Sequence, residues 1–228
     1  MEPIVTSQLH QPSFFYRHRF WLLLLAAATL RHLPIVSLPF NWLESYFHEV
    51  SHGLAAIIAG GKIIQIELFP NGAGLCTTQG GSRLLTAFMG YSGAAIWGAA
   101  IYSLSSLNQR ITQLVTASIL ILLVLSCIFW VRDILTLIIL AVLIALFALK
   151  VKFYHHPWLI VSVQLVGLTV LLNALLSPLY LIDGRHRGDG ATLAGLTGVP
   201  EILWVAIWLA IAVVLLYRLA KQSNKRLS

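Results

Sequence analysis

Charged residues are scarce in this chain, and their scarcity excludes most soluble folds. Only 10% of its 228 residues are Asp, Glu, Lys or Arg, whereas 58% are hydrophobic, and the mean hydropathy is +0.85. This composition is typical of a polytopic membrane protein. The formal net charge of +7 is modest and is scattered over loops and ends, so it predicts orientation in a lipid bilayer and argues against nucleic-acid binding.

Cysteine is nearly absent as well. Cys76 and Cys127 are isolated, with no C-x-x-C spacing, which excludes a disulfide framework and a cysteine-based zinc site. Internal repeats, coiled-coil patterns and low-complexity segments are also missing. We therefore expect residues 1–228 to form a single membrane domain.

Long apolar runs predict an all-α polytopic membrane protein with six or seven transmembrane helices. The first span is expected to be kinked at Pro34 and Pro39. A basic arm, expected to stay in the cytoplasm, occupies residues 1–19, and a basic tail occupies residues 218–228. Besides the helix discussed next, spans are predicted over residues 20–40, 82–107, 111–131, 134–149, 158–182 and 201–219.

Residues 41–61 carry the strongest functional pattern in the sequence. His48-Glu49-Val50-Ser51-His52 is an H-E-x-x-H motif, and in a helix its two histidines lie one turn apart on one face, where both can bind one zinc ion. Glu49, beside that face, can take a proton from a zinc-activated water and pass it to a leaving amine. The alternative is a pair of histidines that only hydrogen-bond within the core.

The ends and packing of this metal helix are also predicted. Asn41 is placed to cap its N-terminus, with Glu44 three residues later in a capping-box arrangement, and Gly60-Gly61 ends it. A stretch rich in small residues at 90–100 predicts close packing of the next span against the metal helix.

Residues 62–81 predict a short β-hairpin after the metal helix. Alternating, β-branched residues at 62–69 and a second run at 75–79 flank a Pro-Asn-Gly-Ala-Gly turn. One interpretation is a surface hairpin that closes the loop. The other is an exposed strand edge, to which an extended substrate backbone adds and presents its peptide bond to the metal.

The third metal ligand must come from later in the chain, because catalytic zinc usually has three protein ligands and one open position. Asp133 adjoins an arginine and is expected to be an ordinary interfacial charge. Asp183 ends an apolar run and is a candidate at membrane depth. Asp189 lies between glycines, before a short helix expected at 191–196, and its alternative role is to cap that helix. His186 is disfavoured by the arginines on both sides of it.

A count of crossings constrains how that ligand reaches the histidines. Four crossings between residues 82 and 182 return the loop at 183–199 to the side on which the metal helix ends. The loop must then dip inward to reach the middle of that helix. A re-entrant piece within residues 111–149 is the alternative.

Four segments resemble the site-2-protease-related membrane zinc metallopeptidases, in particular their small bacterial subgroup. They are FHEVSHGLAAIIAGG, the hairpin with its Pro-Asn-Gly-Ala-Gly turn, GYSGAAIWGA and GDGATLAGLTGVPEILW, and together they extend from Phe47 to Trp204.

The resemblance implies that His48 and His52 are metal ligands and that Glu49 is catalytic. It favours Asp189 over Asp183 as the remaining ligand. The chain departs from the Asn-Pro-x-x-Pro-Leu-Asp-Gly-like motif of other members, since only residues 181–184 partly match it. Because that partial match contains Asp183, this residue stays a candidate.

These observations predict an intramembrane zinc metalloprotease that hydrolyses peptide bonds of membrane protein or peptide substrates. The site would consist of Zn²⁺ on His48, His52 and Asp189, with Glu49 as the catalytic residue. The alternative is a non-catalytic zinc-binding pseudo-protease that holds the transmembrane segments of client proteins. A metal transporter is a third hypothesis, disfavoured because the candidate ligands concentrate on one helix. The predicted location is a bacterial plasma membrane, with the lipid bilayer as the other partner.

Overall fold

The computed structural model describes residues 14–153, 155–182 and 184–225. These residues form eight α-helices, one 3₁₀ helix and a two-stranded antiparallel sheet. Most of the predicted basic arm, and the last three residues of the predicted tail, lie outside the described residues. In chain order the elements are α1 (Phe14–Leu30), α2 (Pro34–Ile58), β1 (Lys62–Leu68), β2 (Gly74–Gln79), α3 (Arg83–Ser105), α4 (Gln109–Phe129), α5 (Ile134–Lys152), α6 (Trp158–Leu176), the 3₁₀ helix (Ser177–Leu181), α7 (Asp189–Thr197) and α8 (Glu201–Lys225).

Five of the described helical segments are long and apolar enough to cross a membrane. They are α3, α4, α5, α8, and α6 together with the 3₁₀ helix that follows it. Helices α1 and α2 meet the same criterion only as a pair, and they are bent by 106° at the break between them. Counting that pair as one broken span gives six, so the fold class expected from the sequence, all-α and polytopic with a small hairpin, is confirmed.

Helix α2 begins earlier than the sequence pattern predicted, and the predicted cap is wrong. The helix starts at Pro34, whose fixed φ suits the first helical turn. Asn41 therefore lies inside the helix, where a residue cannot adopt the extended backbone of an N-cap. Its side-chain oxygen accepts a hydrogen bond from the amide of Asn173 at 2.9 Å. Glu44 is likewise no capping residue, because it is buried and accepts a bond from Ser177 at 3.3 Å.

Helix α3 packs closely on both α2 and α6 because glycines stand at the contacts. A Cβ built on Gly98 would lie 2.5 Å from the backbone nitrogen of Leu171 in α6, so no larger residue fits this approach. Gly93 faces Ser51 of α2 in the same way. The predicted packing against the metal helix therefore accounts for one face of the glycine-rich stretch, and the contact with α6 accounts for the other.

The hairpin follows α2 with the predicted strands. Lys62 of β1 pairs with Gln79 of β2, and the pairing continues to the turn with one irregularity. The outer edge of β1 is covered, since the N–H of Ile66 donates to the carbonyl of Trp130 and the N–H of Leu68 donates to the hydroxyl of Thr136. The free edge of the sheet is consequently that of β2.

The end of α4 and the start of α5 lie beside the hairpin, where Trp130 and Thr136 bond to β1, and the start of α7 returns to the histidines of α2. Both α4 and α5 are long and apolar enough to cross a membrane on their own. Leu193 of α7 packs in one apolar cluster with Ala87 near the start of α3 and with Trp208 of α8. The short helix α7 is thereby held against the first turns of α3.

Candidate metal centre

Three potential metal ligands from two distant parts of the chain meet at one point. The Nε2 atoms of His48 and His52 lie 3.0 Å apart. An Oδ2 atom of Asp189 lies 3.1 Å from the first and 3.2 Å from the second. All three ligand atoms lie within 4.8 Å of one another. Two imidazoles and one carboxylate are a donor set typical of a catalytic zinc site, so the residues present fit a zinc ion.

The ring of His52 is oriented by a backbone carbonyl on α3. Its Nδ1 lies 2.6 Å from the carbonyl oxygen of Thr86. A carbonyl only accepts, so Nδ1 carries the hydrogen and the lone pair of Nε2 is left to face His48 and Asp189. Such an outer hydrogen bond fixes the tautomer and the ring orientation of a metal-binding histidine.

Space for the cluster is provided by a missing side chain. A Cβ built on Gly90 would lie 2.5 Å from the Nε2 of His52 and 2.6 Å from the Nε2 of His48. The next residue, Tyr91, packs edge-on against the His48 ring, with centroids 4.4 Å apart and planes at 78°. Trp208 supports Tyr91 from the other side at 4.8 Å. Glycine at position 90 thus leaves room for both histidine rings, and the ring of Tyr91, supported by Trp208, limits the movement of His48.

Glu49 is buried between the histidines and the hairpin. Its side chain meets the start of β2, where a Cβ on Gly74 would lie 2.5 Å from Oε1. The backbone N–H of Cys76 donates a hydrogen bond to the carboxylate. Burial, followed by the nearby charge of Glu49, raises the pKa of the Cys76 thiol to about 12, so this cysteine remains a neutral thiol beside the site.

Asp189 occupies the first position of α7, and its carboxylate faces the two histidines. The helix starts two residues earlier than expected from the sequence, and its N-cap, Gly188, makes no side-chain capping bond. Burial alone would raise the pKa of the Asp189 carboxyl, but hydrogen bonds with His48 and His52 lower it below its ordinary value. The carboxyl is therefore held as an anion, which is the form that binds a cation.

The other candidates for the third position lie elsewhere. Asp133 caps α5 by accepting the backbone N–H of Thr136 at 2.8 Å. His186 is exposed and pairs with Glu201, 3.3 Å away. Asp183 lies outside the described residues. Among the described residues, the cluster of His48, His52 and Asp189 is the one group that is arranged to hold a metal ion.

A groove of about 360 Å³ leads to the cluster. One wall is the free edge of β2, the other is the start of α7, and the floor is formed by α2 and α3. Its lining residues are His48, Glu49, His52, Gly74, Leu75, Cys76, Thr78, Gly80, Arg83, Thr86, Ala87, Tyr91, Gly188, Asp189 and Thr192.

Several residues that shape the site carry no signal in the sequence. Thr86 acts through its backbone carbonyl, which any residue type possesses. Gly90 belongs to a glycine-rich stretch that predicted helix packing in general, without identifying the position that faces the histidines. Tyr91 is one of the few bulky residues in that stretch, and this is the one signal that could have singled it out.

Comparison with known proteins identifies a family over most of the chain. A family model described as Peptidase M50B-like matches residues 20–219. No curated protein and no solved structure matches the chain. The matched range contains the H-E-x-x-H motif, the hairpin and α7.

Proposed function

The chain belongs to the Peptidase M50B-like family, and from this membership and the geometry of the metal centre we propose that it is an intramembrane zinc metalloprotease. Its substrates would be membrane proteins or membrane-associated peptides. We further propose that it acts in a bacterial plasma membrane. The observation that carries the proposal is the convergence of His48, His52 and Asp189 beside the buried Glu49.

The three converging residues would hold the metal ion. His48 and His52 offer neutral nitrogen ligands from one helical face, and Asp189 offers the carboxylate from α7. A zinc ion held there supplies Lewis acidity, which polarises a peptide carbonyl and acidifies a water molecule. The hydrogen bond from His52 to the carbonyl of Thr86 fixes the orientation of the His52 ring.

Glu49 is the proposed proton carrier. It takes a proton from the attacking water while the water oxygen bonds to the carbonyl carbon of the substrate. When the carbon–nitrogen bond breaks, Glu49 passes that proton to the leaving amine. The N–H of Cys76 and the close approach of Gly74 hold its carboxylate in place.

The free edge of β2 is the proposed guide for the substrate. It forms one wall of the groove and passes directly beside Glu49 at Gly74 and Cys76. A substrate backbone in extended form can pair with such an edge through main-chain hydrogen bonds. The exposed peptide bond then lies between Glu49 and the three metal-binding residues. A transmembrane substrate helix must unwind locally before it can bind in this way.

The test compares Glu49→Gln with wild type in zinc content and in cleavage of a membrane-embedded reporter. We expect Glu49→Gln to retain zinc and to lose at least about 100-fold in cleavage rate, because a positioned general base contributes that much. Glu67→Gln, which alters a carboxylate on β1 away from the groove lining, is the matched control and should cleave normally. Zinc retained with unchanged cleavage in Glu49→Gln would remove Glu49 from the mechanism.

The same variant distinguishes a protease from the alternative, a pseudo-protease that only holds the transmembrane segments of client proteins. If the protein only binds transmembrane segments, Glu49→Gln cells keep the full biological effect of the wild type. A protease requires that effect to disappear together with cleavage.

A further inference from the structure

One end of the groove is positively charged, and the proposed chemistry does not use that charge. Arg83 is the one Lys or Arg among the residues that line the groove. Its side chain is exposed and makes no hydrogen bond or ion pair with the described residues. An arginine without a partner at the wall of a binding groove is available to a ligand.

The surroundings of Arg83 also favour an anion. Arg83 is the first residue of the 23-residue helix α3, whose N-terminus carries a partial positive charge. Thr86, one turn further along, and Thr78 of β2 also line the groove. The side chain of Arg83 and the N-terminus of α3 therefore place positive charge at the same end of the groove.

The charge balance in the groove leads to the same conclusion. A divalent cation held by two neutral imidazoles would be offset by the carboxylates of Asp189 and Glu49. The charge that remains uncompensated in the lining is that of Arg83. A substrate segment carrying a carboxylate near this residue would neutralise it.

The position of Arg83 limits how far the recognised substrate residue can lie from the cleaved bond. Glu49 contacts β2 at Gly74 and Cys76, and Arg83 lies beyond Gly80, at the other end of that strand. Gly80 is four residues after Cys76, or about 13 Å along an extended chain at 3.3 Å per residue. A substrate backbone paired with β2 advances by the same distance per residue, so the matching substrate residue lies within about four positions of the cleaved bond.

We propose that Arg83, at the N-terminus of α3, forms an anion subsite that binds an aspartate or glutamate side chain of the substrate within about four residues of the scissile bond. This inference rests on the proposed protease function and names a preference within it. The same chemistry would also accept the α-carboxylate at the end of a peptide, which the experiment distinguishes.

The first experiment measures cleavage of reporters in which a single Asp is moved through four positions on each side of the cleaved bond, with Asn as the reference. All reporters end in an amide, so that a free α-carboxylate makes no contribution. We expect wild type to cleave one Asp reporter about fivefold to tenfold faster than its Asn counterpart. The ratio is modest because solvent in the groove weakens the ion pair between Arg83 and the aspartate. Arg83→Gln should abolish the difference, and Arg83→Glu should favour Lys at that position.

The matched control is Arg110→Glu. Arg110 is also an exposed arginine in the first turn of a membrane-spanning helix, but it lies at the opposite end of the bundle. It should leave the preference for Asp unchanged. An Asp preference that survives in Arg83→Glu, or no Asp preference in wild type at any position, would overturn the subsite.

A binding measurement keeps the inference testable if no reporter is cut. Fluorescence anisotropy of the labelled Asp and Asn peptides is recorded with Glu49→Gln and with the double variant Glu49→Gln/Arg83→Gln in detergent micelles. Tighter binding of the Asp peptide that requires Arg83 supports the subsite even where cleavage fails. Equal binding of both peptides overturns it, whatever the outcome for the protease function. An Asn peptide with a free C-terminal carboxylate is the third probe. If it binds as tightly as the amidated Asp peptide and needs Arg83 to do so, the site binds chain ends and the side-chain preference is overturned.

Discussion

Replacing Gly90 by alanine tests the geometry of the proposed zinc site without replacing any of the proposed ligands. The added methyl group would lie 2.5 Å from the Nε2 of His52 and 2.6 Å from the Nε2 of His48. Ordinary van der Waals contact with a Cβ begins at 3.4 Å, so the rings must retreat by close to an ångström. Zinc–histidine bonds are 2.0–2.1 Å long and tolerate deviations of only about 0.2 Å.

The displacement is several times that tolerance, and both histidines are affected together. Losing an outer-shell contact alone typically costs 10–100-fold in metal affinity. We therefore expect Gly90→Ala to weaken zinc binding by at least about 100-fold. A loss of helix stability cannot explain this effect, because alanine is a better helix former than glycine by up to about 1 kcal/mol.

Zinc affinity is measured by competition with a chelator of known strength, and helical content by circular dichroism. Gly93→Ala is the control for packing damage, since its methyl group would meet Ser51 at the same interface of α2 and α3. Gly195→Ala is the control for the substitution itself, since nothing lies within 4 Å of a Cβ at that position. Gly195→Ala should bind zinc as wild type does, and Gly93→Ala should lose less zinc affinity than Gly90→Ala. A Gly90→Ala protein with wild-type zinc affinity and normal helicity would refute the site.

Two further predictions concern the third ligand, which the sequence left open, and Asn41, whose role the sequence predicted wrongly. Asp189→Asn should lose zinc at the chelator concentration that wild type survives, whereas Asp183→Asn should retain it; the reverse result would transfer the ligand role to Asp183. Asn41→Ala and Asn173→Ala should be coupled by about 1 kcal/mol in a double-mutant cycle of unfolding free energies, because the two side chains share a hydrogen bond. A helix-capping Asn41 would instead give additive effects.

Local patterns in the sequence were sufficient to predict the hairpin and to place His48 and His52 on one face of α2. A two-residue period and a Gly-containing turn define the strands, and a spacing of four residues places His48 and His52 on one side of any helix. Both signals depend only on neighbours in the chain. The start of α2 was harder to predict, because Pro34 and Asn41 are both acceptable start signals and the partner of Asn41 lies on α6.

The proposed third ligand, Asp189, was not predictable from local patterns. No periodicity connects Asp189 with the histidines, and Asp183 satisfied the same chemical requirements. Only the family resemblance favoured Asp189, and it could not supply the reason. The physical reason is the packing of α7 against the start of α3 through Leu193, Ala87 and Trp208, a contact among three segments that are far apart in sequence.

The site therefore depends on tertiary packing as much as on its motif. Helix α3 provides the carbonyl that orients His52, the empty space at Gly90 and the apolar surface that holds α7. A zinc ion would tie α2 directly to α7, whose own nine residues are too few for a stable isolated helix. Metal binding and the docking of α7 would consequently stabilise each other, since a ligand that binds only the assembled site adds its binding free energy to that of folding. The H-E-x-x-H motif would supply two ligands at a fixed spacing, and the packing of the helix bundle brings the proposed third ligand, Asp189, to them.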